Sequence, residues 1–243
     1  MLFSAHQPAY LPWLGYFHKL ALSDKFVILD NVQFEKNSYT NRNQIKTSNG
    51  PIWLTVPVLN TGHSDKTIRE MKINNNENWR DKHWKGIYFN YKKAPYFDKY
   101  ASYFEDFYTK DWVNLIDVTN EQIKFFMQEL NINTEVIFQS TLAVHSKKQQ
   151  LIVDLCHNCG ANNFIFGAQG KEYADEEFFK KNNLEIYFQN YKHPIYVQQY
   201  GGFVQNMSII DLLFNIPKNC ILDIILSDNI SKSELEKIFK EKK

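Results

Sequence analysis

The positions of apolar and polar residues predict a strand, a helix and a second strand at the start of the chain. Leu2–Ala5 and Lys25–Leu29 are short apolar runs typical of buried strands. Between them, Leu14–Leu22 carries apolar residues at helical spacing and follows Pro12, a residue type common at helix starts. This order implies two parallel strands joined by a right-handed crossover. We therefore expect an α/β protein with a βαβ-type, Rossmann-like sheet.

The remaining elements follow from the same periodicities. Further strands are expected at Ile52–Val58, Thr67–Ile73, Thr134–Phe138, Asn163–Phe166 and Leu184–Phe188. Further helices are expected at Asn78–Asn90, Tyr96–Tyr108, Trp112–Leu130, Lys147–Asn158, Asp175–Lys181, Ser208–Phe214 and Ser231–Lys243. No repeat or Pro/Ser/Gly-rich linker divides the chain. We expect a single domain over residues 1–243, with the helices of about 78–130 as a subdomain or insertion.

Composition narrows the class of protein. Of 243 residues, 44% are hydrophobic and 16% are aromatic, which favours an aromatic-rich core or a pocket lined with rings. The net charge of +1 gives no overall attraction to nucleic acid or to an anionic membrane. No apolar stretch approaches the roughly 20 residues of a spanning helix, so we expect neither nucleic-acid binding nor membrane insertion. The first residues lack a secretory signal pattern, which predicts a cytoplasmic protein.

The cysteines predict neither disulfides nor a metal site. The chain has three cysteines, and an odd number does not make a disulfide framework. Cys156 and Cys159 form a single CxxC pair near the carboxyl end of a predicted helix. A structural zinc site needs four ligands, and a redox CxxC needs the amino end of a helix, where the dipole lowers the thiol pKa. We therefore expect reduced cysteines and no bound metal.

The densest group of chemically versatile residues follows the first strand. His6, Gln7, Tyr10 and Trp13 supply donors, acceptors and stacking faces between a strand end and a helix start. Ligands of open α/β sheets bind at that position. The loop has a second interpretation as a rigid plug that covers the sheet edge with aromatic rings. Its residue types do not decide between the two.

A second group lies in the long polar segment from Asp30 to Lys46, which shows no regular periodicity and is predicted to be a loop. Arg42 offers a planar fork for a carboxylate or phosphate, and Lys46 offers a point charge. The amides of Asn41 and Asn43 could bind sugar or base groups. In the structural alternative, Arg42 pairs with Asp30 or Glu35 and Lys46 is solvated.

Two groups near the carboxyl end complete the candidate site. Gly167, Gly170 and Lys171 follow a predicted strand and form either an anion cradle or a simple turn. His193 is either a general base or a structural residue beside Pro194. The spacing of Ser208 and Asp211 favours a helix cap over a nucleophile.

Several sequence blocks resemble one family in collinear order. They are HQPAYLPWLGYFHKL at residues 6–20, Asp30-Asn31, SYTNRNQIKTSNGPIWLTVPV at Ser38–Val58, FGAQGKEY at Phe166–Tyr173 and YKHPIYVQQYGGFVQNMSIIDLLFNIP at Tyr191–Pro217. Together they resemble the WbqC-like protein family. The resemblance implies a place among proteins encoded with sugar-nucleotide and surface-polysaccharide genes. It also implies transfer of glycine or another acyl group to an amino sugar.

The function expected from this resemblance is a biosynthetic enzyme for surface polysaccharide of the O-antigen type. It would transfer an acyl or aminoacyl group from an acyl carrier or coenzyme A to an amino-sugar nucleotide. The alternative is a non-catalytic accessory protein that binds the sugar nucleotide or a carrier-linked group. No cofactor is indicated.

In the enzyme scheme, each candidate has a role. His6 or His193 removes a proton from the attacking amine, and Asp30 orients the histidine or binds substrate. Arg42 and Lys46 hold a diphosphate or carboxylate, while Tyr10 and Trp13 stack on a base or sugar. This scheme predicts that His6, Asp30, Arg42 and His193 converge on one pocket.

The stretch Gln7–Leu14 is also similar to the strand–loop–helix of nucleotidylyltransferases, which carry QP before a paired-histidine HxGH motif. Tyr10 and Trp13 would occupy the two histidine positions. Neither side chain carries the positive charge with which those imidazoles stabilise the transferring phosphate. The similarity therefore predicts a related fold without that mechanism.

Overall fold

This computed structural model describes residues 1–59 and 66–241, and its centre is a sheet of five parallel strands. The strands are β1 (Leu2–His6), β2 (Lys25–Ile28), β5 (Glu135–Phe138), β6 (Asn163–Phe166) and β7 (Glu185–Phe188). They lie in the order β5-β2-β1-β6-β7. A separate antiparallel hairpin consists of β3 (Arg42–Thr47) and β4 (Gly50–Thr55).

The helices of the described residues cover both faces of the sheet. They are α1 (Leu14–Leu22), α2 (Trp79–Tyr91), α3 (Phe97–Thr109), α4 (Leu115–Glu129), α5 (Lys148–Asn158), α6 (Glu176–Lys181), α7 (Ile209–Asn215), α8 (Lys218–Leu226) and α9 (Lys232–Glu241). Phe17 of α1 meets Phe126 of α4 at a ring distance of 5.7 Å, so the helical segment shares one core with the sheet. A second core, which includes Phe3 and Phe179, joins the other face to α5 and α6. This arrangement confirms the predicted α/β class.

The strand order places a topological switch at the middle of the sheet. From β1 the chain moves outward through β2 to β5, and it then returns to β6 on the opposite side of β1 before it reaches β7. The connections therefore diverge between the carboxyl ends of β1 and β6. In open α/β sheets the ligand crevice lies outside the carboxyl ends of such strands. His6 ends β1 and Gly167 follows β6, so both lie at this switch point.

The prediction of a loop through Lys46 was wrong, because Arg42–Thr47 is strand β3. Its residues alternate between buried and partly exposed at the start, as in a strand, but one inward position is the amide of Asn43. Asn43 is buried because its Nδ2 donates to the Leu11 carbonyl at 2.6 Å and its Oδ1 accepts from the Gln44 amide. A polar residue at an inward position hid the two-residue period.

Other elements differ in extent or type. Thr67–Ile73 is not a strand: it contains a single 3-10 turn, Ile68–Glu70, flanked by isolated bridges at Thr67, Lys72 and Ile73. The apolar run after Pro217, for which no element was predicted, is α8. The predicted strand Ile52–Val58 begins earlier, at Gly50. The terminal helix ends at Glu241, and the last two residues of its predicted range, 242–243, lie outside the described residues. In residues 1–59 and 66–241, no helix has both the length and the apolar character to cross a membrane.

Candidate functional site

His6 occupies the switch point at the carboxyl end of β1. Its Nδ1 lies 2.9 Å from the Gln7 carbonyl, and because a carbonyl only accepts, Nδ1 carries the proton and Nε2 keeps the lone pair. The ring packs edge-on against Trp13 at 5.3 Å and against Tyr16 at 5.1 Å. Burial, with a smaller effect from the Lys19 cation, lowers the pKa of His6 to about 3. The imidazole is therefore neutral at neutral pH and is a weak base.

Lys19 of α1 is the residue that sequence reasoning missed at this site. Its side chain is only 2% exposed, and Nζ donates to the Ala5 carbonyl at 3.0 Å. Burial lowers the pKa of Lys19 to about 7. Among residues 1–59 and 66–241, no carboxylate lies within ion-pair distance of Nζ, which explains why nothing opposes this effect. No periodic signal in the sequence marks Lys19, because α1 is buried on nearly every side, including the side that carries this lysine.

Gly167 closes the other side of the switch point. A Cβ atom at this position would lie 4.0 Å from Lys19 Nζ, so Gly167 is close to the amine and has no side chain to cover it. The Lys19 amino group therefore lies near two parts of the sheet edge, which are Ala5 of β1 and Gly167 after β6. A buried lysine with a pKa near 7 in such a crevice is a candidate general base.

Trp13 links the switch point to the β3–β4 hairpin. Its ring lies 5.1 Å from Tyr39, which lies 5.9 Å from Trp53, and the Arg42 guanidinium stacks on Trp53 at 4.3 Å. We call Trp13, Tyr39 and Trp53 the aromatic row. Tyr39 and Trp53 are 43% and 42% exposed, which is unusual for such large apolar side chains and leaves ring faces open to a ligand.

Arg42 has partners that neither sequence interpretation named. Its two terminal nitrogens donate to the side-chain and backbone oxygens of Asn37, at 3.3 and 2.5 Å. With the cation–π contact to Trp53, these bonds fix the guanidinium at the solvent end of the aromatic row. The structural alternative of a pair with Asp30 or Glu35 was wrong.

Asp30 takes part in a different contact. Its Oδ1 accepts from the Ser140 amide at 2.9 Å and its Oδ2 from the Ser140 hydroxyl at 2.6 Å. Because Asp30 follows β2 and Ser140 follows β5, the carboxylate fastens the ends of two neighbouring strands. Both oxygens are used there, so we do not include Asp30 in the proposed site.

Three of the predicted binding residues lie in the interior. The hydroxyl of Tyr10 meets His83 Nδ1 of α2 and the Tyr108 hydroxyl of α3. Asn41 Nδ2 donates to the Val56 carbonyl, and Asn43 has the contacts described above. Tyr10 and Asn43 are 0% exposed and Asn41 is 6% exposed, so none presents a face to a ligand. Gln7 is half-buried, and its Oε1 accepts from Thr40 at 3.4 Å.

Lys46 is buried rather than solvated. Its Nζ donates to the carbonyls of Gly201 and Gly202, each at 2.7 Å. Both glycines have a positive φ, at 66° and 59°, which aligns two successive carbonyls on one cation. Nearby, Asp211 accepts from the hydroxyls of Tyr91 and Tyr196. The pKa of Asp211 is raised above its usual value, because the effect of burial exceeds the opposing effects of these hydroxyls and the Lys46 cation. Lys46 therefore holds the segment of residues 199–206 rather than an open ligand site.

His193 and Tyr191 lie in the irregular segment between β7 and α7. His193 Nδ1 donates to the Pro194 carbonyl at 2.8 Å, and burial lowers the pKa of His193. Its Nε2 and the Tyr191 hydroxyl are both buried without a hydrogen-bond partner among the described residues. Tyr191 packs against Gly15, where a Cβ atom would lie 3.0 Å from its ring. Trp13 packs against the same glycine, so contacts connect His6 to His193 through this point.

The glycine segment after β6 is a 3-10 turn over Ala168–Glu172. At Gly170 a Cβ atom would lie 2.6 Å from the Phe166 Cβ, so packing against β6 requires a glycine there. Lys171 is exposed to solvent. These contacts account for Gly170 by packing, and they leave the anion cradle a prediction.

Two further predictions concern residues outside this site. Ser208 precedes α7 as expected for a cap, but its Oγ is buried and makes no capping bond, so that detail was wrong. Cys156, Cys159 and Cys220 are free thiols, and burial raises the pKa of Cys156. In the part of the chain that the structure describes, no group of His, Cys, Asp or Glu side chains could hold a metal ion.

Contacts through Trp13 connect His6 to Arg42 and, across Gly15 and Tyr191, to His193, whereas Asp30 is bonded to Ser140. The convergence of His6, Asp30, Arg42 and His193 on one pocket stays a prediction. An open depression of about 400 Å³, lined in part by Asp24, Thr134 and Lys232, lies at the opposite, amino edge of the sheet. We place the site at the carboxyl edge because the perturbed lysine and the exposed rings are there.

Comparison with known proteins gives two matches. A family model described as the WbqC-like protein family matches residues 7–222. An uncharacterised protein of Mycobacterium tuberculosis is 32% identical over 212 residues, which cover 86% of this chain and 91% of that protein. No solved structure matches the chain significantly. The matched range contains Trp13, Lys19 and His193 and begins one residue after His6.

Proposed function

Because the chain belongs to the WbqC-like protein family, we propose that it is an enzyme of surface-polysaccharide biosynthesis of the O-antigen type. It transfers an acyl or aminoacyl group, such as glycyl, to the amine of an amino-sugar nucleotide. The donor is a thioester of coenzyme A or of an acyl carrier, or an acyl group activated by ATP. Three free thiols favour a reducing, cytoplasmic location for this reaction.

The observation that carries this proposal is the environment of Lys19. Acyl transfer to an amine needs a base, since an ammonium nitrogen has no lone pair with which to attack. Lys19 supplies one, because its pKa of about 7 leaves a large fraction of neutral amine at neutral pH. His6 is less suitable, because its pKa of about 3 makes it a poor proton acceptor there.

In the proposed step the acceptor nitrogen forms a bond to the acyl carbon, and the bond from that carbon to the leaving group breaks. Lys19 takes the proton that the nitrogen loses and then returns it to the leaving group, so that charge and atoms balance. The neutral His6 offers its Nε2 lone pair as a hydrogen-bond acceptor beside the reacting amine. The aromatic row and Arg42 bind the nucleotide end of the acceptor.

Turnover assays of Lys19 variants test this function. Wild-type protein is screened with UDP-, GDP- and dTDP-linked amino sugars together with thioester and ATP-dependent acyl donors. We expect kcat/KM to rise as the pH passes through about 7, where Lys19 loses its proton. Lys19→Met should lower turnover at least about 100-fold, the lower range for a lost general base.

Lys92→Met is the matched control, because Lys92 is exposed and lies over Phe89 far along the chain from the switch point. It should leave turnover unchanged. Full turnover in Lys19→Met, or a pH profile that is flat around 7, would contradict the role of Lys19.

A different observation favours a second function, which is binding without catalysis. Lys19 is 2% exposed, while the open rings of the aromatic row are directly accessible. A non-catalytic accessory protein that binds a sugar nucleotide or a carrier-linked group would need only those rings. In that case sugar nucleotides would raise the melting temperature, and no acyl transfer would occur with any donor.

A further inference from the structure

Tyr191 and His193 carry two buried polar atoms that the proposed reaction does not use. The Tyr191 hydroxyl and His193 Nε2 have no hydrogen-bond partner among the described residues. Buried polar groups are nearly always hydrogen-bonded, and an unpaired one costs free energy. These two groups lie on neighbouring rings, with centroids 6.3 Å apart, so one ligand can satisfy both.

The hydrogen-bonding roles of the two atoms are complementary. His193 Nδ1 donates to the Pro194 carbonyl, so Nε2 of the neutral ring can only accept. The Tyr191 hydroxyl has a proton to donate. A ligand that satisfies both must donate at one place and accept at another, as sugar hydroxyls and acylamino groups do.

The surroundings hold both rings in fixed positions. Tyr191 packs on Gly15 at the start of α1 and lies 5.2 Å from His18, whose own nitrogens bond Gln189 and the Ile230 carbonyl. His193 lies between Tyr196, at 6.3 Å, and Phe203, at 5.7 Å. Aromatic walls around a few polar atoms are typical of small-molecule sites.

The irregular segment that carries the two rings leaves part of its surface open to solvent. Residues 189–208 form neither helix nor strand, and Tyr200, Gly201 and Gly202 all have positive φ. Ile195 and Val197 of this segment are 82% and 78% exposed, so the backbone beside His193 lies at the protein surface. Tyr191 and His193 are both only partly buried, so their rings reach that surface.

We propose that Tyr191 and His193 form a carbohydrate subsite, in which Tyr191 donates to and His193 Nε2 accepts from the amino-sugar part of the acceptor. This inference rests on the proposed function for the identity of the whole substrate. The subsite itself requires only a saccharide with neighbouring hydroxyl or acylamino groups. Trp13 is near Tyr39 of the aromatic row and, across Gly15, near Tyr191, so one acceptor can place its base and its sugar at two ends of one site.

Tyr191→Phe separates a ligand site from a structural residue, because the two readouts move in opposite directions. Loss of an unpaired buried hydroxyl should raise the melting temperature of the ligand-free protein by about 2–4 °C. The same change should weaken N-acetylglucosamine binding, measured by calorimetry, about tenfold. His193→Phe keeps the ring and should weaken the saccharide to a similar extent. Uridine monophosphate, which lacks the amino sugar, should bind both variants as it binds wild type.

Tyr103→Phe is the matched control. The Tyr103 hydroxyl is also buried without a partner, but it lies in α3 beside Phe125. This variant should raise the melting temperature in the same way and leave saccharide binding unchanged.

The outcomes distinguish this subsite from the transferase function. Saccharide binding that depends on Tyr191 without any acyl transfer supports the subsite and removes the transferase. Acyl transfer with saccharide affinity equal in wild type and Tyr191→Phe removes the subsite and keeps the transferase. The subsite is also overturned if wild type binds no saccharide, or if Tyr191→Phe lowers the melting temperature, since an ordered water would then satisfy the hydroxyl.

Discussion

Lys19 and Lys46 are buried almost equally, at 2% and 3% exposed, yet their amino groups have different surroundings. Lys46 Nζ has two carbonyl acceptors at 2.7 Å, and the charge of Asp211 lies near enough to interact with it. Lys19 Nζ has one carbonyl acceptor at 3.0 Å, and the Phe26 ring, Gly167 and the neutral His6 lie near it. A buried cation with several acceptors holds structure together, whereas one with few acceptors loses its proton easily and is available for chemistry.

The largest loss of stability should result from Lys46→Met. The substitution leaves the carbonyls of Gly201 and Gly202 without their donor and Asp211 without a nearby positive charge. Removal of one member of such a buried set costs about 3 kcal/mol of stability. Denaturant unfolding of the variant and wild type at pH 7 measures this loss. A variant as stable as wild type would show that Lys46 is not a structural cation.

Lys19→Met should act in the opposite direction, and its effect should depend on pH. The folded pKa of Lys19 is about 7, below the unfolded value of about 10.4, so folded protein binds fewer protons between these values. The lysine therefore destabilises the protein fully below pH 7, and this cost disappears as the pH rises towards 10.4. The free energy of unfolding of Lys19→Met should therefore exceed that of wild type by the largest amount at pH 6.

The advantage of Lys19→Met should then fall by about 2–3 kcal/mol between pH 7 and pH 9, since one proton contributes about 1.4 kcal/mol per pH unit. Denaturant melts at pH 6, 7, 8 and 9 measure the difference. Lys92→Met, on the surface, should show no such dependence. A constant difference between Lys19→Met and wild type at all four pH values would remove the contrast between the two lysines.

Local patterns in the sequence predict the elements around Lys19 and part of the site. Helix α1 and strands β1 and β2 follow from apolar spacing, and His6 and Trp13 follow from their place after a strand. The burial of Lys19 could not be predicted in the same way, because lysine on a helix normally faces solvent. The groups around this one, Ala5, Phe26 and Gly167, belong to three different parts of the sheet. The partners of Lys46 lie 155 and 156 residues further along the chain.

The contacts of Arg42 could not be predicted from the sequence either. Its charge was identified, but its partners, Asn37 and the ring of Trp53, depend on strand β3, which the buried Asn43 concealed. Tyr39 and Trp53 were not singled out, because the exposure of an aromatic residue is not visible in composition. The hairpin register, which pairs Gln44 with Trp53, is what exposes that ring beside the guanidinium.

The smallest effect concerns this surface cation, which contrasts with both buried lysines. Arg42→Ala should change folding little, because the bonds of a partly exposed cation at the protein surface contribute little to stability. It should weaken binding of the best sugar nucleotide by about 1.5–3 kcal/mol, the range for a hydrogen bond to a charged group. Arg42→Lys should restore only part, since a point charge lacks the planar fork. Calorimetry together with denaturant melts measures both quantities. Unchanged binding with easier unfolding would make Arg42 a structural residue.

The titration of Lys19 itself shows whether a lysine with a lowered pKa lies at the switch point. Side-chain carbon chemical shifts of isotope-labelled lysine, followed by NMR from pH 5 to pH 11, report the protonation of each amino group, and Lys19→Arg assigns the signal. The account predicts a midpoint for Lys19 near 7, separated from the surface lysines, which titrate near 10.4. A Lys19 midpoint among those of the surface lysines would contradict a buried, poorly partnered amine at the switch point.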